Sequence, residues 1–226
     1  TPSDPATMSS TPTPSGKSAG LARGATRNIN RAEVVDRNFI DFVKGWTATP
    51  VRHPGPREPI RPGSVLSVSE FMELFDSQLA NRHLDLEARA MRARGEGFYT
   101  IGSSGHEGNA LVGRYTRHTD MAFLHYRSGA FMMERARQVP GIDPVYDTAL
   151  SFSASAEDPI SGGRHKVWGS VPLTVPPQTS TIASHLPKAV GAAIAIHQAQ
   201  RLGVTLPVPK DSITVCSFGD ASANHS

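Results

Sequence analysis

Ser212-Ile-Thr-Val-Cys-Ser-Phe-Gly-Asp-Ala-Ser-Ala-Asn-His-Ser226 is the stretch on which the fold of this chain turns. Ile213 to Phe218 is a short run of β-branched and apolar residues, the pattern of a strand buried on both faces in a parallel sheet. Gly219-Asp220 follows at once. Open α/β sheets bind ligands outside the carboxyl ends of their strands. A carboxylate at that edge suits a Mg²⁺ ion that in turn holds a diphosphate, because Mg²⁺ takes hard oxygen ligands.

Immediately upstream, Leu186-Pro187-Lys188-Ala-Val-Gly-Ala-Ala-Ile-Ala-Ile-His-Gln-Ala-Gln-Arg201 reads as the helix that crosses over into this strand. Pro187 suits a first helical turn and Gly203 closes the element. Ala189 to Ile196 is small and apolar on every side, which predicts a deeply buried helix. Further back, Met121-Ala-Phe-Leu-His-Tyr126 reads as a second strand, Arg127-Ser-Gly-Ala130 as a turn and Phe131 to Gln138 as a helix. That is half of a βαβ unit. Tyr126 and Arg127 fall at the carboxyl end of their strand, as Asp220 does on its own. In a parallel sheet those ends share one edge, where a phenol and a guanidinium meet phosphate oxygens. Strands alternating with helices, with no hairpin signal, predict an α/β fold with a parallel sheet and flanking helices.

Ser67-Val-Ser-Glu70 is a capping box, and the helix it opens should run to about Arg94 with Gly95 as its stop. Phe71, Phe75 and Leu79 recur on one face and Met72, Leu79 and Leu86 on a neighbouring one. Arg82, Asp85, Glu87, Arg89 and Arg92 form its polar, solvated face. Gly102-Ser-Ser-Gly-His-Glu-Gly108 is a turn ahead of a short helix, about Glu107 to Tyr115. Such turns either cradle anions or simply turn. No Lys-Ser/Thr follows, so it is no P-loop, and its spacing is no dinucleotide fingerprint. Residues 140–178 read as mostly irregular, with Gly162, Gly163, Pro172, Pro176 and Pro177 marking loops. His165 in that loop is either a substrate contact or a solvated side chain.

Residues 1–63 read as a disordered or extended tail and 64–226 as the folded domain. The first 32 residues hold Pro2, Pro5, Pro12 and Pro14 among Ser, Thr and Gly. A short helix over 33–47 precedes a proline-rich connector, 48–63. The chain has 226 residues, 38% of them hydrophobic, and a net charge of +3. No Lys/Arg block interleaved with aromatics points to nucleic acid, and no apolar run is long enough to span a membrane. The single Cys216 sits inside the predicted strand as a small hydrophobe. With no disulfide framework, an intracellular, cytoplasmic setting is the simplest expectation.

Gly219-Asp220-Ala221-Ser222-Ala223-Asn224 resembles the thiamin-diphosphate signature Gly-Asp-Gly-Ala-Ala-Asn. That form belongs to the alpha subunit, or alpha-like half, of the decarboxylating component of 2-oxo acid dehydrogenases. His125-Tyr126-Arg127 is similar to the family's Tyr-Arg pair at the cofactor diphosphate. Thr179 to Ala193 is similar to its Ser-x-x-Leu-Ala-Thr-Gln-Ile-Pro-x-Ala-Val-Gly-Ala-Ala segment. The three segments keep the family's order over about residues 65–226.

The resemblance implies a thiamin-diphosphate-binding fold and oxidative decarboxylation of pyruvate or a branched-chain 2-oxo acid, with acyl transfer to a lipoyl domain. It implies thiamin diphosphate and Mg²⁺ as cofactors. Asp220 would bind the metal, with Gly219, Ala221 and Ser222 lining the diphosphate loop. His125, Tyr126 and Arg127 would flank the diphosphate, and Ser180 and Ile182 the aminopyrimidine. Asn224 would be structural. Thr179, Thr181, Ser184 and His185 fall where branched-chain relatives bind K⁺, although a histidine stands where they have glutamine. Ala221 replaces the signature's second glycine. The downstream asparagine of the signature is not in the sequence, so these residues would form the front part of a longer polypeptide. The activating glutamate belongs to a beta subunit or beta-like domain, so the resemblance assigns no catalytic acid or base to this chain. The implied partners are that beta part, a lipoyl-bearing acyltransferase and a small 2-oxo acid, in an oligomer. Another thiamin-diphosphate enzyme, such as an acetoin dehydrogenase or a transketolase-like protein, and a non-catalytic interaction module are the alternatives.

Overall fold

The structure, a computed structural model, describes residues 30–47, 54–98, 101–164 and 168–224. The expected tail before residue 30, part of the proline-rich connector and the candidate His165 lie outside the described residues. The chain divides into two units, Thr1–Arg52 and His53–Ser226. The first contains helix α1, Arg31–Gly45, close to the helix expected at 33–47. It presents Val35, Phe39 and Phe42 to solvent, and the rings of Phe42 and Trp46 lie 5.5 Å apart.

The second unit is mixed α/β. Its first helix, α2 (Val68–Arg94), opens on the expected capping box: Glu70 N donates to Ser67 Oγ, and Ser67 N donates to Glu70 Oε2 at 2.9 Å. Gly95 ends it with φ 78°, a left-handed conformation that a side chain would strain. Helix α3 (Asn109–Tyr115), strand β1 (Met121–Phe123) and helix α4 (Gly129–Ala136) follow. Helix α5 (Pro144–Phe152), strands β2 (Trp168–Ser170) and β3 (Val175–Gln178), helix α6 (Leu186–Leu202) and strand β4 (Thr214–Cys216) complete the order. A short 3₁₀ turn, Asp220–Asn224, comes last.

β1 and β4 pair in parallel, with Met121 opposite Thr214, Ala122 opposite Val215 and Phe123 opposite Cys216. β2 and β3 pair antiparallel with an irregularity between Trp168 and Ser170. This second pair corrects the expectation of a chain without hairpins. The residues between 140 and 178 are also more regular than expected. Asp143 caps α5 by accepting from Val145 N and Tyr146 N, each at 3.0 Å, and Pro144 fills the first helical position.

α4 is the spine of the unit, buried along its whole length. Phe131, Met132 and Ala136 join Ala122, Leu124, Leu173 and Val175 in the main core. Met133 meets Leu84, Ala88 and Phe152, and Ala130 meets Leu74 and Ala110. Full burial of one such large side chain is worth about 1.5–3 kcal/mol. The charged residues of α4 are buried with partners. Glu134 accepts from Ser77 Oγ at 2.6 Å and from Arg114 Nη1 at 2.7 Å. Arg135 donates to the Asp120 carbonyl at 2.7 Å and to Thr116 Oγ1 at 2.5 Å, with its guanidinium over the Phe131 ring. Burial pushes the Arg135 guanidinium down to about 10.

Three sequence expectations about burial are corrected. α2 packs inward with Leu74, Ser77, Asn81, Leu84, Asp85 and Ala88, while Phe71, Met72, Phe75, Leu79 and Leu86 are exposed. Its inward polar side chains are tolerated because each finds a partner, Ser77 on Glu134 and both Asn81 and Asp85 on Ser103. α6 buries only Ala189, Ile196 and Ala199 against the β1–β4 pair, leaving Val190 and Ile194 exposed. β4 is half-buried along its length, not covered on both faces, because β1 and α6 are its neighbours among the described elements.

Candidate functional site

The parallel register builds the site. Phe123 lies opposite Cys216, and Arg127 and Asp220 each come four residues later on their own segments. Both therefore leave the same, carboxyl-terminal edge of the sheet. Ser217 N donates to Phe123 O at 3.0 Å, extending the ladder one step toward that edge.

Ser217 is the hub on which the edge is assembled. Its Oγ accepts from His125 N at 2.9 Å and lies 2.9 Å from Ser128 Oγ. Its carbonyl accepts from His185 Nε2 at 2.8 Å. Three segments thus meet at one serine: the turn after β1, the end of β4 and the loop before α6.

His125 is buried, and its Nδ1 accepts from Arg127 N at 3.3 Å. Its Nε2 lies over Gly219, 3.5 Å from where a Cβ would stand. The His106 ring stacks on it, centroids 4.8 Å apart and nearly parallel at 7°. Burial holds the His106 imidazole below its ordinary value, and the Arg127 charge adds to that; Glu107 and Asp220 oppose it. His106 therefore lies in the field of both Arg127 and Asp220.

Arg127 is fixed on the other side by donation from Nη1 to the Gly102 carbonyl at 2.8 Å, with its guanidinium 5.8 Å from the Tyr126 ring centroid. The Tyr126 carbonyl accepts from Trp168 Nε1 at 2.9 Å. The glycine-rich turn that supplies Gly102 is a tight turn with the amides of Ser103, Gly105 and His106 engaged. Ser103 N donates to Asp85 at 2.8 Å and Gly105 N to Glu107 at 2.8 Å. Two of the turn's amides thus already face carboxylates, which favours the plain turn of the two readings of this segment.

Asp220 is exposed at the start of the 3₁₀ turn, Ala221 is exposed beside it, and Ser222 is buried with its N–H on Gly219 O at 3.0 Å. Ser180 and Ile182 lie in the loop between β3 and α6, half-buried and exposed respectively. Among the described residues no hydrogen bond joins these two to Arg127 or Asp220. Their connection to the edge runs through His185. His106 and Ser217 are members of the site that sequence reasoning missed. In the sequence the first lies in a glycine-rich turn open to two readings, and the second is an ordinary residue of the expected strand.

Chemically the edge offers a hard carboxylate oxygen and a positioned guanidinium, the two group types a metal–diphosphate pair requires. Among the described residues no three His, Cys, Asp or Glu side chains gather round one point. A Mg²⁺ at Asp220 would complete its shell with phosphate oxygens, carbonyls and water, as that ion commonly does. No helix among the described residues is long and apolar enough to cross a membrane. Compared with known proteins, the chain matches no family model and no curated protein sequence.

Proposed function

We propose that the carboxyl-terminal edge of the β1–β4 pair binds thiamin diphosphate through Mg²⁺, and that the chain is the alpha part of a 2-oxo acid dehydrogenase decarboxylating component. The observation that carries this reading is the matched register, with Arg127 and Asp220 each four residues beyond the Phe123–Cys216 pair. Asp220 would hold the metal. Arg127 and Tyr126 would hold diphosphate oxygens, with Gly219, Ala221 and Ser222 forming the loop beneath and His125 buried behind it. Ser180 and Ile182 would meet the aminopyrimidine. The bound cofactor supplies the electron sink that lets a 2-oxo acid lose CO₂, while the protein contributes binding, orientation and electrostatics. Burial and the Arg127 charge hold the His106 imidazole, stacked on His125, toward its neutral form. The exposed apolar faces of α2 and α6 fit a chain that works against a beta partner and a lipoyl-bearing acyltransferase.

The test is decarboxylation of pyruvate and of 3-methyl-2-oxobutanoate by this chain with the beta partner and a lipoyl domain present. Activity toward one of them that requires added thiamin diphosphate is the expected result. A full assembly that decarboxylates neither overturns the substrate class.

A further inference from the structure

The loop Thr179–His185 corresponds, by the resemblance, to one that closes around K⁺ in related chains, and the residues here do not fit that ion. An alkali ion needs a shell of oxygens in place of its hydration. The oxygens of this loop are turned on one another. Thr179 Oγ1 and Thr181 Oγ1 lie 2.9 Å apart. Ser184 Oγ donates to Thr181 O at 3.2 Å and accepts from Gln178 Nε2 at 3.1 Å. Gln178 Nε2 also donates to Thr179 O at 3.1 Å. Gln178 Oε1 is a buried oxygen of this stretch with no partner among the described residues, and one oxygen is not a cage.

His185 stands where, by the resemblance, the branched-chain relatives have glutamine, and its ring is engaged elsewhere. Its ring is buried, 2% exposed, and its Nε2 reaches the Ser217 carbonyl at 2.8 Å. A carbonyl only accepts, so Nε2 carries the proton and Nδ1, buried and without a partner among the described residues, is the bare nitrogen. The loop it anchors is strained. Ala183 has φ 59°, a left-handed conformation that persists only where the surroundings enforce it. The enforcement here is the Leu186 N to Ala183 O bond at 3.1 Å and, one residue nearer, the His185–Ser217 tie.

We propose that His185 does in this chain what a bound monovalent cation does elsewhere: its imidazole ties the Thr179–His185 loop to the end of β4, and the loop stands ordered without an ion. His185 is thus a positioning residue that links Ser180 and Ile182 to the Ser217 hub. The inference rests on the proposed function only for what the loop would contact, and its test contains no thiamin diphosphate, so failure of that reading leaves it intact.

The experiment compares thermal unfolding of the full chain in KCl, NaCl and choline chloride at matched ionic strength, for the unmutated chain and for His185→Gln. The unmutated chain should melt at the same temperature in all three. A midpoint raised by K⁺ alone by about 2 °C or more overturns the proposal. His185→Gln removes the tie and returns an amide oxygen to the loop. It should melt lower in choline chloride, show faster amide exchange over residues 181–186, and regain both in K⁺. A merely structural histidine would give no ion-specific rescue. If His185→Gln matches the unmutated chain in choline chloride, the tie does not hold the loop and the proposal fails. Should that variant not fold, the salt comparison on the unmutated chain still decides.

Discussion

Asp120 lies at the opposite edge of the β1–β4 pair from Asp220, and the contrast separates a structural carboxylate from the exposed one proposed to hold the metal. Asp120 is buried. It accepts from Arg117 N at 2.9 Å, from Arg117 Nη2 at 3.0 Å and from Ile213 N at 3.1 Å, fastening the start of β4 to the turn before β1. Burial alone would raise its carboxyl, but the bonds from Arg117 and Ile213 win and hold it below the usual value. A lowered native value means the charged form stabilises the fold above the ordinary carboxylate range, and that stability is lost as pH falls through the native value. Asp120→Asn should therefore cost about 2–3 kcal/mol at pH 7 and flatten the acid dependence of stability below about pH 4, both read by denaturant titration at several pH values. Asp220 is exposed, and among the described residues it accepts no such set of bonds. At this scale Arg127 and Asp220 were legible because both types sit at strand ends. His106 and Ser217 were not, because ring stacking and a shared hydroxyl are made between segments far apart in sequence.

Elements with local stop and start chemistry were legible. The Ser67–Glu70 box, Gly95 and Gly203 bound α2 and α6 as expected, both glycines with positive φ. α5 carried a readable start in Asp143-Pro144 that was passed over in favour of the surrounding loop signals. The burial of α2 and α6 was not readable, because which face turns inward depends on partners that lie elsewhere in the chain. Asp85 goes inside because Ser103 offers it two bonds, at 2.8 and 2.7 Å. The close contact of α3 with α4 is an element-scale prediction. A Cβ on Gly113 would lie 2.7 Å from the Phe131 carbonyl oxygen, within rigid backbone on both sides. Gly113→Ala should destabilise the chain by about 1–3 kcal/mol by forcing the helices apart, measured by equilibrium unfolding. Ala183→Gly should act in the opposite direction. Relief of the left-handed alanine outweighs glycine's extra backbone freedom, giving a gain of about 0.5–1 kcal/mol; a loss on unfolding would show that φ 59° there is not strained.

On the scale of the molecule, a two-stranded parallel pair with α6 on it, sharing the main core with the side chains of α4, is enough to bring the ends of β1 and β4 together. The sequence pattern foretold that alternation, since a β-branched run following a long apolar helix has few other solutions. It did not foretell the antiparallel β2–β3 pair, whose strands are short, the second carrying two prolines, with no alternation to read. The proposed function depends on Arg127 and Asp220 gripping one ligand from two strands. Calorimetric titration of thiamin diphosphate in excess Mg²⁺ into the full chain, Arg127→Ala, Asp220→Ala and the double variant measures that grip directly. Binding by the unmutated chain, weakened about 10- to 100-fold by either single change and little further by the second, is the expected result. A chain that binds no cofactor, or single variants that bind as tightly as the unmutated chain, would contradict it.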